Sequence, residues 1–583
     1  MATAKIEPHM VMADAQGNIY DDPDLLMVCR RGEEWGTPRP DELMPLPEES
    51  ELFLLPGRRA VGLNPETGEI ECTEDLAVAA FAAPAHTLSA HPAYTSDADA
   101  PLLPLFAYGA VGFAKGRFYI CARKVDADQR QEFRHIPRSR IEKNVRALLR
   151  QFPKNRLVGH ILEDCVMKYD CPAARNFALG RFEAPLPSSR TCNARCVGCI
   201  SEQDKDSPIN VTPQCRLTFT PTPEELVEVM SFHAGRETKT PIYSFGQGCE
   251  GDPLMNPDLL VESVRLFRSR GGVGTVNCNT NASRTEAVER LAQAGLSSIR
   301  VSLNSARPEV YERYYRPHGY SFDDVRRSIA VARKNGLWVS LNLLFFPGVT
   351  DSEGELEALA RLVGENGVSM IQWRNLNIDP EWYLGLMRGI DHGPIMGLSL
   401  FMKRLKKLCP WLRFGYFNPY VGEKAELTAP CPGSGRCLIF PWPTRPLPGP
   451  LRKMPPGRRT RKLEHSFWRR RPGIFRGRRA LLKKRPPRAP SPRKTFAPVR
   501  MAGPRLRLAG SDFVSSSGKG RARASPVPKR GDAARSNGKT ASGAWHRQER
   551  RSGGRCSTRT GGSSVRRRRR GSRVNGQAQG RYE

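Results

Sequence analysis

Hydrophobic positions change their spacing along the chain, and the changes divide it into three stretches. From 1 to about 180, short apolar runs at 52–56, 106–113 and 118–122 alternate with turn residues such as Asn64-Pro-Glu-Thr-Gly68. That alternation predicts β-hairpins. Ile141, Val145, Leu148 and Leu149 then fall at helical spacing within 139–152. Between about 185 and 400 the pattern becomes a repeat of strand and helix. Strands are predicted at 242–245, 274–279, 298–303, 338–346 and 369–375, with helices at 257–269, 284–294, 309–335 and 353–365. A further strand before residue 192 brings the count to about six βα units, which suits a parallel barrel or a doubly wound sheet. Each strand runs into a loop carrying Gly, Asn, Pro or Asp, the composition of functional strand ends. Beyond about 441 both periodicities vanish.

Charge confirms the last boundary. The 583 residues carry a formal charge of +33, which by itself suggests a nucleic-acid binder. Yet residues 441–583 hold 41 of the 92 Lys+Arg and 5 of the 59 Asp+Glu, a net of +36. The first 440 residues are left with 51 bases against 54 acids, a net of −3, so charge says nothing about their substrate. The segment 441–583, rich in Arg, Pro, Gly, Ser and Ala, cannot bury enough apolar surface to fold alone. Three readings stand: an arm whose arginines (the run at 566–570) neutralise nucleic-acid phosphates, a solvated disordered tail, or a GC-rich gene read out of frame. The N-terminal residues lack the apolar stretch of a secretory signal, and no run approaches eighteen apolar residues. A cytoplasmic protein with no membrane partner is expected, and fifteen cysteines without a paired framework fit reduced thiols.

Cys192, Cys196 and Cys199 lie in Thr191-Cys-Asn-Ala-Arg-Cys-Val-Gly-Cys199. Three thiolates on one short loop suit an Fe–S cluster with one iron left open, or a zinc ion with a distant fourth ligand. This loop and its surroundings resemble the radical S-adenosylmethionine (SAM) superfamily. After the 242–245 strand comes Gly246-Gln-Gly-Cys-Glu-Gly-Asp-Pro-Leu254, similar to the family's G-G-E-P motif, with Glu250 for Gly, then Gly251, then Asp252 for Glu. Asn277, Asn279 and Asn281 share a strand face, as three amides do at a polar barrel mouth. Thr280-Asn281-Ala282 resembles the family's T-N-G turn. Ser302 and Asn304, in Val301-Ser-Leu-Asn-Ser305, resemble its S-L-D-S strand, and Asn342 lies on what resembles its fifth strand.

The resemblance implies a partial (β/α)6 barrel at 185–400, preceded by an α+β region at 1–180 and followed by an extension at 401–440 and a disordered tail at 441–583. It implies a [4Fe–4S] cluster on the three loop cysteines. SAM would be held by Glu250, Gly251, Asp252, Asn281, Ser302, Asn304 and Asn342, and cleaved reductively to a radical that takes hydrogen from an unidentified substrate. A small flavodoxin- or ferredoxin-like electron donor is then the expected partner, with nucleic acid a partner only through the tail. The competing reading is a non-enzymatic zinc protein with a nucleic-acid-binding tail. Gln372 and Arg374 share a face suited to substrate anions. Many relatives carry an aromatic just before the third cysteine to pack on adenine, where this chain has Gly198, so either adenine packs elsewhere or the SAM geometry is unusual. Tyr243 and Phe245 are candidates for that packing, with core packing the favoured role for both. Cys249 and Cys278 are candidates to donate hydrogen or accept a group. Cys165, Cys171, Cys409, Cys431 and Cys437 are candidates for an auxiliary cluster.

Overall fold

The computed structural model describes residues 6–422 except 210, 211 and 238. The tail at 441–583 lies outside the described residues, as do Cys431, Cys437 and the 423–440 end of the predicted extension.

Residues up to Lys124 build a nine-stranded antiparallel sheet and a small three-stranded one. The longest ladder pairs Glu51–Leu63 with Ile70–Phe81 across the Asn64 turn, where Asn64 Oδ1 accepts from the amides of Glu66 and Thr67. Gly109–Ala114 and Arg117–Lys124 form a second hairpin. Helix Arg138–Gln151 follows and buries Ile141, Val145 and Leu148. The alternating and helical patterns thus form the elements their periods predict.

The second half is a parallel α/β sheet with helices between its strands. Its strands are β1 (Glu183–Leu186), β2 (Ile242–Phe245), β3 (Thr275–Thr280), β4 (Ser298–Leu303), β5 (Trp338–Phe345), β6 (Met370–Asn375) and β7 (Arg413–Gly415). Helices α1 (Pro223–Arg236), α2 (Pro257–Ser269), α3 (Thr285–Ala294), α4 (Phe322–Lys334), α5 (Glu353–Asn366) and α6 (Leu398–Leu408) connect them. All six ladders are parallel, and the order runs β1 to β7 without a break. A doubly wound sheet reverses its order at a switch point, whereas sequential order curls into a barrel wall. Among the described residues no ladder joins β1 to β7, so the barrel is partial. The Asn418 amide, just past β7, spans the opening by donating to Glu183 Oε1 at 2.8 Å.

Two features depart from the sequence reading. The wall has a seventh strand, β7, which at three residues is too short to show a period. The helical pattern at 309–335 is two helices, Pro308–Tyr315 and α4. Pro317 lacks the amide that would continue the first, and Arg316 and Gly319 take positive φ (46° and 73°) in the break.

The N-terminal sheets lie against the C-terminal ends of β5 and β6. Thr87 Oγ1 donates to Trp373 O at 3.1 Å, Gly32 N to Pro347 O at 3.0 Å, and Arg58 pairs with Asp379 at 3.0 Å. No helix among the described residues is long and apolar enough to cross a membrane.

Candidate active site

The cysteine loop is held by backbone rather than by its thiols. A helix end leaves carbonyls without partners, and here the loop supplies them. Val197 N donates to Tyr314 O (2.9 Å) and Arg195 N to Tyr315 O (3.0 Å) at the end of helix Pro308–Tyr315, while His318 N, past the helix break, donates to Asn193 O (2.8 Å). The break at Pro317 is therefore what turns the chain back to the loop. All three thiols are half-buried. Burial, with the neighbouring Asp252 charge, pushes the Cys192 thiol up to about 12, and burial pushes the Cys196 thiol well above its ordinary value. Arg216 Nη2 donates to Cys199 Sγ at 3.6 Å.

The spacing of the thiols bears on what they hold. Among the described residues, the one His/Cys/Asp/Glu group whose ligand atoms all lie within 4.8 Å of one another is elsewhere, at His160, Cys165 and Cys249. Thiolates on one tetrahedral zinc stand about 3.8 Å apart, given Zn–S bonds of about 2.3 Å. Cys192, Cys196 and Cys199 are not such a group, and three thiols on one loop are the donor set of a cluster with one iron left open.

Glu250 and Asp252 tie three loops together. The buried Glu250 carboxylate accepts from Ser188 N (2.6 Å), Ser188 Oγ (3.1 Å) and Ser189 N (2.9 Å) on one oxygen. Its other oxygen takes Gly246 N (2.8 Å) and Gln247 N (2.7 Å). Burial pushes its carboxyl up to about 7 against the pull of these donors. Five donors saturate a carboxylate that offers about four lone-pair sites. Asp252 accepts from Asn281 N (2.6 Å), Thr280 Oγ1 (2.7 Å) and Leu254 N (3.0 Å), which leaves one site open. Gly251 lies flat on the cysteine loop: its N donates to Ser189 O (2.8 Å), and a Cβ there would stand 2.0 Å from Thr191 O. Asn281 closes the triangle, its amide reaching Asn193 Oδ1 at 2.9 Å.

Ala282, in the turn that follows, takes φ +57° and is fully buried. Left-handed backbone costs an L-residue about 1–2 kcal/mol, and glycine gives that back but loses a buried methyl worth about 0.8 kcal/mol. Ala282→Gly is therefore expected within about 1 kcal/mol of the parent, while the β-branched Ala282→Val should lose more than about 2 kcal/mol. Urea unfolding of both checks this.

Alternation along the strands puts polar side chains inside the barrel. Asn277 donates to Ser244 Oγ and Asn279 Oδ1 and accepts from Ser298 Oγ, and Asn279 donates to Gly246 O. Ser302, Asn342 and Gln372 pair in register across β4, β5 and β6. Ser302 and Asn342 are half-buried, and Asn342 Oδ1 has no hydrogen-bond partner. Asn304 points elsewhere: its amide donates to Val310 O and Tyr383 Oη, both at 3.2 Å, and its Oδ1 has no partner. Arg300 donates to Gln372 Oε1 at 3.2 Å, its Nε has no partner, and burial and the like charge of Arg374 bring its pKa down to about 9. Arg374 lies over the Tyr416 ring at 3.9 Å and donates to Tyr416 O. Among the described residues neither arginine has a carboxylate within salt-bridge distance.

Other candidates are placed away from this lumen. Tyr243, Phe245 and Cys278 are fully buried on the outer face of the sheet, where Tyr243 packs on Phe267 at 5.0 Å. The space beside Gly198 is taken by Tyr314, whose Oη would stand 2.8 Å from a Cβ there. An aromatic thus reaches that position from another helix. Cys409 is buried beside Ala360 O, and Cys165 lies with Cys249 instead. The sequence reading did not single out Asn193, Arg216, Arg300, Tyr314 or Asn418. Arg300 alone had a signal, the alternation Ser298, Arg300, Ser302.

Comparison with known proteins agrees with this geometry. Residues 186–362 match the family model described as the radical SAM superfamily. A GTP 3′,8-cyclase of Cyanothece sp. is 31% identical over 215 residues, 36% of this chain and 56% of that protein. A probable GTP 3′,8-cyclase of Thermococcus kodakarensis is 32% identical over 180 residues, 30% of this chain and 52% of that protein. Molybdenum cofactor biosynthesis protein 1 of Mus musculus is 27% identical over 181 residues, 30% of this chain and 26% of that protein. The chain thus spans about half the length of the two cyclases and about a quarter of the mouse protein. Among solved structures, a radical SAM methyltransferase from Sphaerobacter thermophilus aligns at 18% identity over 39% of this chain and 62% of that one, with a TM-score of 0.27. The hydrogenase maturase HydG aligns at 16% identity over 49% and 66%, with a TM-score of 0.29. Those two likenesses are too slight to carry an argument.

Proposed function

From the premise that the chain belongs to the radical SAM superfamily, which implies a [4Fe–4S] cluster and SAM, we propose an enzyme that abstracts hydrogen from a substrate held in the barrel lumen. Cys192, Cys196 and Cys199 would hold the cluster and leave one iron for SAM. When bound, the cluster supplies the electron that breaks the C5′–S bond of SAM. The single observation that carries the reading is the convergence of three loops, cysteine loop, Gly246–Leu254 and Thr280–Ala282, through Glu250, Asp252, Gly251 and Asn281.

The protein's own groups divide the remaining work. Glu250 is saturated and fixes the loops. Asp252, with one lone-pair site left, and the carbonyls around Gly251 would accept from the ammonium of SAM. Ser302 and Asn342 would meet SAM from the wall, and Asn304 would reach it only through its unpartnered oxygen. The N-terminal region at 1–180 buttresses β5 and β6, where contacts with residues 347–379 tie the proposed domains together. A small flavodoxin- or ferredoxin-like protein would deliver the electron in the cytoplasm. Any nucleic-acid contact would fall to the tail, outside the described residues.

Two half-buried arginines, Arg300 and Arg374, with no carboxylate partner among the described residues, favour a substrate with an anionic group, because a partly desolvated cation gains by pairing. GTP, which the relatives' names mention, is the first compound to try. Anaerobically reconstituted protein with about four irons per chain, reduced by dithionite, is expected to convert SAM to 5′-deoxyadenosine. An anionic substrate should accelerate this. Reconstituted protein that binds one zinc and no iron on the loop cysteines, or an iron-loaded protein that leaves SAM intact, would sink the proposal.

A further inference from the structure

A second metal-binding constellation lies outside the cysteine loop. His160, Cys165 and Cys249 bring Nε2 and two Sγ atoms within 4.8 Å of one another. Cys165 Sγ is 3.5 Å from Cys249 Sγ and 3.7 Å from His160 Nε2. Tetrahedral zinc, with Zn–S about 2.3 Å and Zn–N about 2.0–2.1 Å, separates two sulfurs by about 3.8 Å and sulfur from nitrogen by about 3.6 Å. Both observed separations are within about 0.3 Å of those edges. Both cysteines are free thiols.

Two further observations point the same way. His160 Nδ1 is 3.1 Å from Asp164 Oδ2, the carboxylate–histidine pairing that fixes a ring and aims its other nitrogen at a metal. The segment His160–Val166 is a π-helix, whereas the other long helices among the described residues are α. In an α-helix, residues five apart point about 140° away from each other. The i→i+5 bonding of a π-helix brings them onto one face, and such turns are rare and gather at functional sites. His160 and Cys165 are five apart. The irregular turn has an evident consequence: it pairs two ligands.

We propose that His160, Cys165 and Cys249 bind one Zn²⁺ ion, with water at the fourth position. Cys165 and Cys249 are buried at 2% and 3% exposure, while the partly exposed Asp164 edge gives the ion its entry. Cys249 immediately precedes Glu250, so the ion fastens the Gly246–Leu254 loop to the helical segment His160–Val166. The ion joins two segments of the chain, and it is independent of the cluster.

Protein grown in zinc-supplemented medium and purified anaerobically is expected to hold close to one zinc per chain by mass spectrometry. The Cys192→Ala, Cys196→Ala, Cys199→Ala triple variant should keep that zinc while losing its iron, which separates this site from the cluster reading. Cys165→Ser and His160→Ala should each lower zinc at least ten-fold. X-ray absorption at the zinc edge of the wild-type chain should show two sulfurs at about 2.3 Å and two lighter ligands. That spectrum needs no variant, so the test stands even where a substitution prevents folding. Wild-type protein without zinc, a shell of nitrogen and oxygen only, or zinc content unchanged by Cys165→Ser would overturn the proposal.

Discussion

Replacing Cys192, Cys196 and Cys199 together with alanine is expected to remove the four cluster irons and all 5′-deoxyadenosine formation while leaving residues 6–422 folded. The reason lies in how the loop is held. Its anchors are backbone bonds from Arg195, Val197 and His318, and the Asn193–Asn281 pair, none of which uses a thiol. The thiols contribute only weak contacts: Ala194 N to Cys192 Sγ at 3.4 Å, Arg216 to Cys199 Sγ at 3.6 Å, and Cys199 Sγ with Ser201 Oγ at 3.7 Å. Each substitution should therefore cost about 1 kcal/mol, the centre of the range for point changes. Iron analysis, circular dichroism and a SAM-cleavage assay on the same preparation make the comparison. A triple variant that still holds four irons and cleaves SAM would mean that the cluster, and the proposed chemistry, belong to other cysteines.

Much of this site was legible because its signals are local. The C-x3-C-x2-C spacing, the period of two in β3 and β4, and the Gly-rich loop after β2 each occupy fewer than a dozen residues. Five strands and most helices therefore form close to where the pattern sets them, and β2 runs over the same four residues. What stayed hidden depends on distant pairing. Glu250 reads as a candidate SAM ligand until its five donors, from Ser188, Ser189, Gly246 and Gln247, are seen around it. The aromatic absent at Gly198 arrives as Tyr314, more than a hundred positions later. Sequential strand order, which separates a barrel from a doubly wound sheet, is a property of pairing and leaves no trace in any one strand. The helix break at Pro317 was visible as a proline and glycine within four residues, but the apolar period on both sides concealed it. His160 and Cys165, five apart, fall on no common face of an α-helix, so only the π-helix reveals them.

Gly251→Ala is expected to destabilise the protein by about 3–5 kcal/mol and to lower iron loading at least ten-fold, although Gly251 supplies no side chain to either ligand. A Cβ at 251 would stand 2.0 Å from Thr191 O and 2.4 Å from Thr191 C. Ordinary C···O contacts begin near 3.3 Å, so the loops must part by more than about 1 Å. Both neighbours are backbone, and neither can rotate away. Parting them breaks the bonds from Gly251 N to Ser189 O and from Asp252 N to Thr191 O, at 2.8 and 2.9 Å. Overpacking costs about 1–3 kcal/mol and each lost hydrogen bond about 1 kcal/mol, which together give the stated range. Thr191 adjoins Cys192, so the displacement passes directly to the first thiol of the cluster set. Gly235→Ala is the matching control. It lies in α1 with nothing within 4 Å of its added Cβ, and it should gain about 0.5–1 kcal/mol from helix propensity with iron loading unchanged. The two alanines thus separate close backbone approach from loss of glycine as such. The cysteine variants lose iron because the thiols are gone while the loop anchors remain, whereas Gly251→Ala loses iron with all three thiols in place. A Gly251→Ala protein that unfolds at the parent urea concentration and loads four irons would show that the Gly246–Leu254 loop does not brace the cluster loop.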